Sequence, residues 1–226
     1  MQPIAHIRND FTSKFGIPRQ SGILAEMHSQ ILFETAFNRM DAVRGLDSFS
    51  HIWLIWEFSE SRKPDGKGWS ATVRPPRLGG NQRVGVFASR APFRPNPIGL
   101  SCVRLDGIRQ ENGQVILDIS GADLLDGTPI LDIKPYVPFT DCHPEASEGY
   151  TAQTRLHLLN VSDPEGWLQA IPAEKRQAAE KILAQDPRPG YSEDKERIYG
   201  VMFAGFDIRF RVDGNALNVV EVVTAE

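Results

Sequence analysis

The sequence predicts a mainly β protein, in which a β-barrel domain over residues 1–140 is followed by a linker and a small α+β domain over residues 141–226. Three observations predict this class. Short segments rich in β-branched and aromatic residues recur before residue 140, each bounded by Gly, Pro, Asn or Asp. Only residues 37–45 have a helical pattern in that part. Beyond it the composition becomes polar and acidic, and a helical pattern and a hairpin pattern follow.

The first part is predicted to consist of short strands that pair in one sheet. Residues 106–113, DGIRQENG, contain the Gly and Asn expected where an antiparallel hairpin turns. Because these strands are the main predicted elements of this part and only residues 37–45 look helical, we expect its sheet to close into a barrel. The predicted strands are residues 2–8, 51–58, 83–89, 98–105 and 114–120.

The second part begins with a polar, weakly patterned stretch, residues 141–153, which is typical of a linker. The Asp-Pro pair at 163–164 is the expected N-cap and first residue of a helix. Residues 173–185 predict an amphipathic helix. Residues 199–212 and 216–223, separated by Asp-Gly-Asn, predict a β-hairpin with a tight turn. This part is therefore expected to form a small α+β appendage.

Basic residues are concentrated in one stretch of an acidic protein. The formal net charge is −4, yet residues 62–94 contain eight Lys or Arg and a single acid, Asp65. Such a local basic stretch favours a polyanionic partner more than the overall charge would. The alternative interpretation is a solvated loop that happens to be rich in Arg.

Several classes of protein are excluded by composition. The two cysteines, Cys102 and Cys142, have no zinc-site spacing and are too few for a disulfide framework. The five histidines form no metal-binding motif such as HExxH. The N-terminus has no apolar signal region, and the apolar run 52–56 is too short to span a membrane. We therefore expect a reduced, soluble, cytoplasmic protein without a metal ion.

Two Arg-containing segments are candidate anion sites. In IPRQSG, residues 17–22, Arg19 follows a rigid proline, and its guanidinium could bind a carboxylate or phosphate. An ordinary turn with an exposed Arg is the alternative. In TVRPPRLGGN, residues 72–81, two glycines beside Arg74 and Arg77 could form a platform for a phosphate backbone. The spacing is not that of a P-loop, which argues against a nucleotide hydrolase.

The segment SRAPFRPNPIGLS, residues 89–101, is the strongest candidate for a binding loop. Its three prolines fix φ and remove amide donors, so the loop can hold Arg90, Arg94 and Asn96 in place at little entropic cost. A preorganised loop is what a binding site requires. The alternative is a stiff connection between two strands.

The segment DLLDGTPILDIKPYVPF, residues 123–139, combines a turn with a charged strand. Asp126 begins the turn, and Asp132 and Lys134 share one face of the strand that follows. The two charges could form a simple ion pair, or they could serve as a base and an anchoring cation in a cleft.

Together these motifs resemble the TsaA-like family, and in particular its bacterial tRNA methyltransferase branch, which acts on threonylcarbamoyladenosine. The resemblance covers about residues 4–139, and DPRPGY, residues 186–191, extends it. It rests on five motifs in the family's order: PRQ at 18–20, DAVRGLDSFSHIW at 41–53, RPPRLGGN at 74–81, GVFASRAPFRPNPIGLS at 85–101, and the 123–139 segment.

The resemblance implies a homodimeric β-barrel enzyme that binds S-adenosylmethionine. Such an enzyme methylates N6 of threonylcarbamoyladenosine at position 37, beside the anticodon of threonine tRNAs, and its partner is the anticodon stem-loop. The residues that it implies for cofactor binding are Pro18, Arg19, Gln20, Ser59, Glu60, Arg90, Leu100, Asp126, Gly127, Thr128 and Pro129.

The chemistry of methyl transfer suggests further roles. The acceptor nitrogen carries a proton, so we hypothesise that Asp132 helps to remove it, with Lys134 or Tyr136 positioning the base or polarising the carbamoyl group. A cation, Arg94 or Arg77, is expected to hold the threonine carboxylate. The full set of substrate or RNA-binding candidates is Arg74, Arg77, Arg94, Asn96, Arg188 and Tyr191.

Two other functions remain open on the sequence alone. One is a non-catalytic regulatory module that binds S-adenosylmethionine or RNA without turnover. The other is a methyltransferase of the same fold with a different acceptor. The joint presence of the basic stretch and the cofactor segments favours the tRNA methyltransferase, since a regulator would need only one of them.

Overall fold

The computed structural model describes residues 1–61, 69–75, 78, 82–154, 158–188 and 194–225. Strands dominate the described residues, so the mainly β class is confirmed. The strands of the first part are β1 (Ala5–Arg8), β2 (His28–Phe33), β3 (His51–Glu57), β4 (Thr72–Val73), β5 (Val84–Gly85), β6 (Ile98–Glu111), β7 (Gln114–Ser120) and β8 (Pro129–Pro135). A single-turn helix, α1 (Pro138–Asp141), follows β8.

Six of these strands form one antiparallel sheet that closes on itself in the order β1-β2-β7-β6-β3-β8. The closing pair is short, with Ala5 opposite Ile130 and His6 opposite Pro129. Strands β4 and β5 pair separately as a two-stranded ribbon. The 89–97 loop that leads into β6 therefore starts from this ribbon and ends at the barrel.

The barrel interior is filled by alternate residues of its strands. On β3, Ile52, Leu54 and Trp56 are buried while the residues between them are partly exposed. Val103 of β6 and Leu117 of β7 belong to the same apolar cluster. The burial of alternate residues on β3 is the pattern expected of a strand with one face towards the core.

The second part is built on a four-stranded sheet and one helix. Its elements are β9 (Asn160–Ser162), α2 (Ala173–Ala184), β10 (Tyr199–Phe203), β11 (Phe206–Asp213) and β12 (Ala216–Thr224), with strand order β10-β11-β12-β9. Helix α2 buries Ile182 and Leu183 against the sheet. Phe11, Leu24 and Met27 from the N-terminal part lie in this same core. The segment around residues 11–27 therefore packs against the second part.

Three predicted elements of the first part are wrong in extent. The helix expected over 37–45 is reduced to a 3₁₀ turn, Met40–Val43. The chain does not continue as a helix through Gly45, because this residue has a φ of +84°. The strand expected over 83–89 is only β5, since Val86–Ala88 turns into a 3₁₀ helix. The turn expected over 106–113 is confined to Asn112-Gly113, both with positive φ, and β6 runs up to it.

The second part also departs from expectation at two places. Asp163 does not begin α2; its carboxylate accepts hydrogen bonds from the amides of Trp167 and Leu168, both at 2.9 Å, and caps a 3₁₀ turn. The strand expected over 199–212 is divided at Ala204-Gly205, where both residues have positive φ. Strand β9 of the second part and strands β2 and β4 of the first part were not predicted.

Among the described residues, no helix is long and apolar enough to cross a membrane. The same residues contain no group of three or more His, Cys, Asp or Glu side chains that could hold a metal ion.

Candidate functional site

A cleft of about 450 Å³ opens where the ends of β3 and β6 meet three loops. The loops are the segments around residues 17–20, 89–94 and 123–128. The lining residues are Lys14, Ile17, Pro18, Arg19, Gln20, Trp56, Glu57, Phe58, Ser59, Glu60, Ser89, Arg90, Pro92, Arg94, Ile98, Gly99, Leu100, Asp123, Leu125 and Thr128. The walls combine apolar rings with basic side chains, which suits a ligand that has both apolar and charged parts.

One wall of the cleft is an aromatic surface that depends on a glycine. Trp56 of β3 faces Gly99 of β6, and a Cβ on Gly99 would lie 2.2 Å from the indole Cε2. Only glycine leaves room for the ring at this position. The indole lies 4.2 Å from the ring of Phe58, centroid to centroid, and its Nε1 donates a hydrogen bond to Ser101 Oγ at 3.0 Å.

Ser101 links this wall to a carboxylate. Its hydroxyl, on a residue that is 1% exposed, donates to Asp123 Oδ1 at 2.5 Å. Burial raises the pKa of Asp123, while the hydrogen bond from Ser101 and the charge of Arg90 act to lower it. A carboxylate removed from water in this way is stabilised in its ionised form by a cationic ligand.

The rim of the cleft carries two guanidinium groups. Arg90 Nη1 donates to Gln20 Oε1 at 2.5 Å, and this hydrogen bond joins the 17–20 segment to the 89–94 loop. Arg19 Nη2 lies 3.4 Å from the backbone oxygen of Arg188. Guanidinium groups at a cleft mouth are suited to a carboxylate or a phosphate.

The predicted cofactor residues are largely brought together. Eight of the eleven line the cleft: Pro18, Arg19, Gln20, Ser59, Glu60, Arg90, Leu100 and Thr128. The other three, Asp126, Gly127 and Pro129, lie outside the lining. Asp126 Oδ1 accepts a hydrogen bond from the Asn9 amide at 2.9 Å, and the Gly127 amide donates to the Ile7 oxygen. These bonds fix the turn that presents Thr128 and Leu125 to the cleft.

The predicted catalytic residues lie elsewhere. Asp132 and Lys134 form an ion pair at 3.1 Å, and their side chains are 48% and 61% exposed. Tyr136 packs against the rings of His51 and Trp53, with centroid distances of 6.2 and 5.7 Å. None of the three lines the cleft.

The predicted RNA-binding residues are dispersed. Arg94 Nη1 donates to the backbone oxygens of Val86 and Ser89, at 3.1 and 2.6 Å, so this arginine supports its own loop. The backbone oxygen of Asn96 accepts a hydrogen bond from the amide of Ile98, the first residue of β6.

The remaining RNA-binding candidates lie in different settings. Arg188 is paired with Asp186 at 2.8 Å, which raises the pKa of its guanidinium. Arg74 lines a second, wider groove. Arg77 and Tyr191 lie outside the described residues.

This second groove, of about 1560 Å³, lies next to the cleft. The walls of the groove and of the cleft both include Arg19, Gln20, Ser89, Arg90 and Pro92. The hydrogen bond between Arg90 and Gln20 therefore lies at the boundary between them. The groove continues along the β4–β5 ribbon to the segment around residues 148–151.

Sequence reasoning missed the interior of the site. Trp56 and Phe58 were assigned only to a strand, Gly99 was not singled out, and Asp123 was read as part of a turn-containing segment. The signal that could have found Asp123 is its place directly after the Gly121-Ala122 stretch, where an acid interrupts apolar residues before the turn. The partners that bury it come from other strands, so the sequence alone does not reveal them.

Comparison with known proteins gives a consistent result over the whole chain. The model of the tRNA-methyltransferase O N-terminal domain matches residues 6–142, and that of the TrmO C-terminal domain matches residues 162–225. The tRNA (adenine(37)-N6)-methyltransferase of Escherichia coli is 42% identical over 219 residues, which cover 93% of this chain and 92% of the relative. The enzyme of the same name from Eikenella corrodens is 44% identical, over 79% of this chain and 98% of the relative.

A further relative and a solved structure extend this similarity. A Pseudomonas aeruginosa protein named as a putative S-adenosylmethionine-dependent methyltransferase, RcsF, is 39% identical over 93% of this chain and 91% of its own length. A crystal structure of TrmO from P. aeruginosa superposes with a TM-score of 0.76 and 33% identity, over 99% of this chain and 95% of that one.

Proposed function

This chain belongs to the tRNA-methyltransferase O family, and from this we infer that it is a tRNA (adenine-N6)-methyltransferase. We propose that S-adenosylmethionine is its methyl donor and that the cleft is the donor site. The observation that carries this proposal is the convergence of the 17–20, 59–60, 89–100 and 123–128 segments, distant in sequence, on one cleft. The homodimer and the cytoplasmic location expected from the sequence stay predictions.

The residues of the cleft fit the chemistry of this donor. Arg19 and Arg90 at the rim suit its carboxylate, and Glu60 suits its ribose hydroxyls. Leu100, which is 49% exposed on the cleft wall, offers apolar cover for its adenine. The bound donor supplies a methyl group on a positively charged sulfur.

Asp123 is the residue that we assign to the positive charge of the donor. Its carboxylate is partly buried, accepts a hydrogen bond from Ser101, and lines the same cleft as Trp56. In surroundings of low polarity, an ionised carboxylate and a cation stabilise each other more than they would in water. We propose that Asp123 and Trp56 together hold the sulfonium side of the donor.

Methyl transfer is an in-line displacement, and alignment of the two reactants can contribute roughly 7–11 kcal/mol. The proline-locked loop and the Arg90–Gln20 hydrogen bond keep the two sides of the cleft mouth in place for this purpose. Removal of the N6 proton was assigned to Asp132 from the sequence, with Lys134 or Tyr136 assisting. That assignment stays a prediction, and the three residues lie outside the lining of the cleft.

The acceptor that we propose is threonylcarbamoyladenosine at position 37 of threonine tRNAs. Its threonine carboxylate requires a cation, for which the sequence offers Arg94 or Arg77, the latter outside the described residues. Arg94, which binds two backbone oxygens through Nη1, contributes to this recognition by fixing the loop.

The test is transfer of labelled methyl from S-adenosylmethionine to two matched threonine tRNAs. One carries threonylcarbamoyladenosine and the other plain adenosine at the same site. We expect label in the first only. Label in both would retain the enzyme but remove the threonylcarbamoyl requirement. Label in neither, with donor binding intact, would point instead to a regulator or to another acceptor.

A further inference from the structure

Two phenylalanines stand exposed in the groove beside the cleft. Phe87 is 74% exposed and Phe93 is 47% exposed, and both line the groove. Single exposed apolar residues are common on protein surfaces. Two aromatic rings in one groove, next to the proposed site for a nucleic-acid substrate, are suited to binding a ligand that has flat apolar faces.

The backbone turn that carries Phe87 is anchored although the ring is exposed. It lies on the 3₁₀ turn Val86–Ala88, which is anchored by Val86, a residue only 1% exposed. The Arg94 guanidinium lies 5.7 Å from the centroid of the Phe87 ring and binds the backbone oxygens at both ends of the turn. The ring is therefore presented to the groove on a fixed support, which lowers the entropic cost of stacking a ligand on it.

The charge of the groove matches a polyanion. Its described lining includes four arginines and a single acid, Glu148. The arginines are Arg19, Arg74, Arg83 and Arg90. Such a lining on a protein whose net charge is −4 is a local concentration of positive charge. Arginine combined with exposed aromatic rings is the arrangement by which proteins bind single-stranded nucleic acid.

We propose that this groove binds single-stranded nucleotides of the anticodon loop, with bases stacked on Phe87 and Phe93 and phosphates near Arg74 and Arg83. The proposal rests on the proposed function, since it places the loop where the target base can reach the cleft. The groove and the cleft share wall residues around Arg90, so nucleotides bound in the groove would lie next to the cleft.

The test measures binding of a fluorescein-labelled anticodon stem-loop RNA by fluorescence anisotropy at several salt concentrations. Stacking on an aromatic ring contributes about 5- to 150-fold in affinity per base, so Phe87→Ala is expected to weaken binding within that range. The slope of affinity against salt should stay unchanged, because no phosphate contact is lost. Phe87→Tyr should retain the affinity. Arg74→Ala should instead reduce the salt slope by about one.

Two controls isolate stacking in the groove. Phe139→Ala removes a ring that is 88% exposed on α1 and does not line the groove, so it should leave RNA affinity unchanged. A closed RNA duplex without a loop should bind Phe87→Ala as well as it binds the wild type, since its bases are not available for stacking. Phe93→Ala provides a second, independent truncation of the platform.

The proposal is overturned if Phe87→Ala and Phe93→Ala both bind the stem-loop within twofold of the wild type. That result would assign the rings to a protein partner. Equal loss on stem-loop and duplex would overturn it as well, because such a loss is not stacking. Donor binding and methyl transfer by the wild type are measured alongside; if the wild type shows neither, the proposed function fails, whatever the variants do.

Discussion

Asp123 and Asp132 belong to the same short segment, yet the fold gives them opposite environments. Asp123 lines the cleft, receives a hydrogen bond from buried Ser101, and has its pKa raised by burial. Asp132 lies on β8 with its side chain half exposed and pairs with Lys134. The sequence favoured Asp132 because it alternates with apolar residues on a strand. The comparison teaches that alternation identifies a face of a sheet and does not identify the chemistry on that face.

The difference in environment has an energetic consequence. Interactions of a partly buried carboxylate are stronger than those of an exposed one because less water screens them, and removing its charge affects a bound cation directly. An exposed ion pair contributes little, typically 0–1 kcal/mol. The two aspartates should therefore differ in function far more than their shared segment suggests.

The largest expected effect comes from removing the charge of Asp123. Asp123→Asn keeps the size of the side chain but cannot neutralise a cation, so we expect S-adenosylmethionine to bind about 10- to 100-fold more weakly, or roughly 1.4–2.7 kcal/mol. S-adenosylhomocysteine has no sulfonium charge and should lose much less. Isothermal titration calorimetry with both ligands measures this. An equal loss for both would mean that Asp123 contacts a group they share, such as the ammonium.

The pH dependence of donor binding tests the same role of the Asp123 charge. Burial raises the pKa of Asp123 in the free protein, and a cationic ligand binds the ionised form. Affinity for S-adenosylmethionine should therefore rise with increasing pH through that pKa and fall as the carboxyl takes up a proton. The Asp123→Asn variant should lack this dependence. A variant with the same pH profile as the wild type would assign the titration to another group.

A smaller effect is expected from disturbing the wall beside Asp123. In Gly99→Ala, the new methyl would lie 2.2 Å from Trp56 Cε2, so the indole must move away from Ser101. We expect unfolding free energy to fall by about 1–3 kcal/mol in chemical denaturation, with weaker donor binding. Gly107→Ala, on the same strand, has no atom within 4 Å of its new Cβ and serves as the control. An unchanged stability in Gly99→Ala would show that the ring has room to shift.

The strands that carry the barrel core were predictable because their pattern is local. Residues 51–58, 98–105 and 114–120 are rich in β-branched and aromatic side chains and are bounded by turn residues, and each contains a strand. Strand β2 escaped because its apolar run, Ile31–Phe33, is too short to indicate either a helix or a strand. Closure of the sheet depends on the pairing of residues 5–6 with 129–130, and no local pattern encodes that contact.

The rim of the site was predictable and its interior was not. Arg19, Arg90 and the proline-rich loop stand out by residue type, since cations on rigid loops are unusual in a purely structural connection. Asp123 and Trp56 become recognisable as site residues only through their contacts with Ser101 and Gly99, which lie on a strand distant from both in sequence. Burial and hydrogen-bond partners are properties of the fold, so the interior of a site becomes visible only when the strands are paired.

The smallest effect is expected at Asp132, where the original assignment of a base is tested. Because Asp132 is half exposed, paired with Lys134 and outside the cleft, we expect Asp132→Asn to keep methyl transfer within about twofold of the wild type. Lys134→Gln, which removes the other half of the ion pair, should behave alike. General base catalysis contributes about 10²- to 10⁴-fold, so a loss of that size in kcat with an altered pH profile would restore Asp132 as the base. Such a result would also mean that the face of β8 comes close to the substrate during the reaction. Asp132 and Asp123 would then differ in their protonation and not in their access to the substrate.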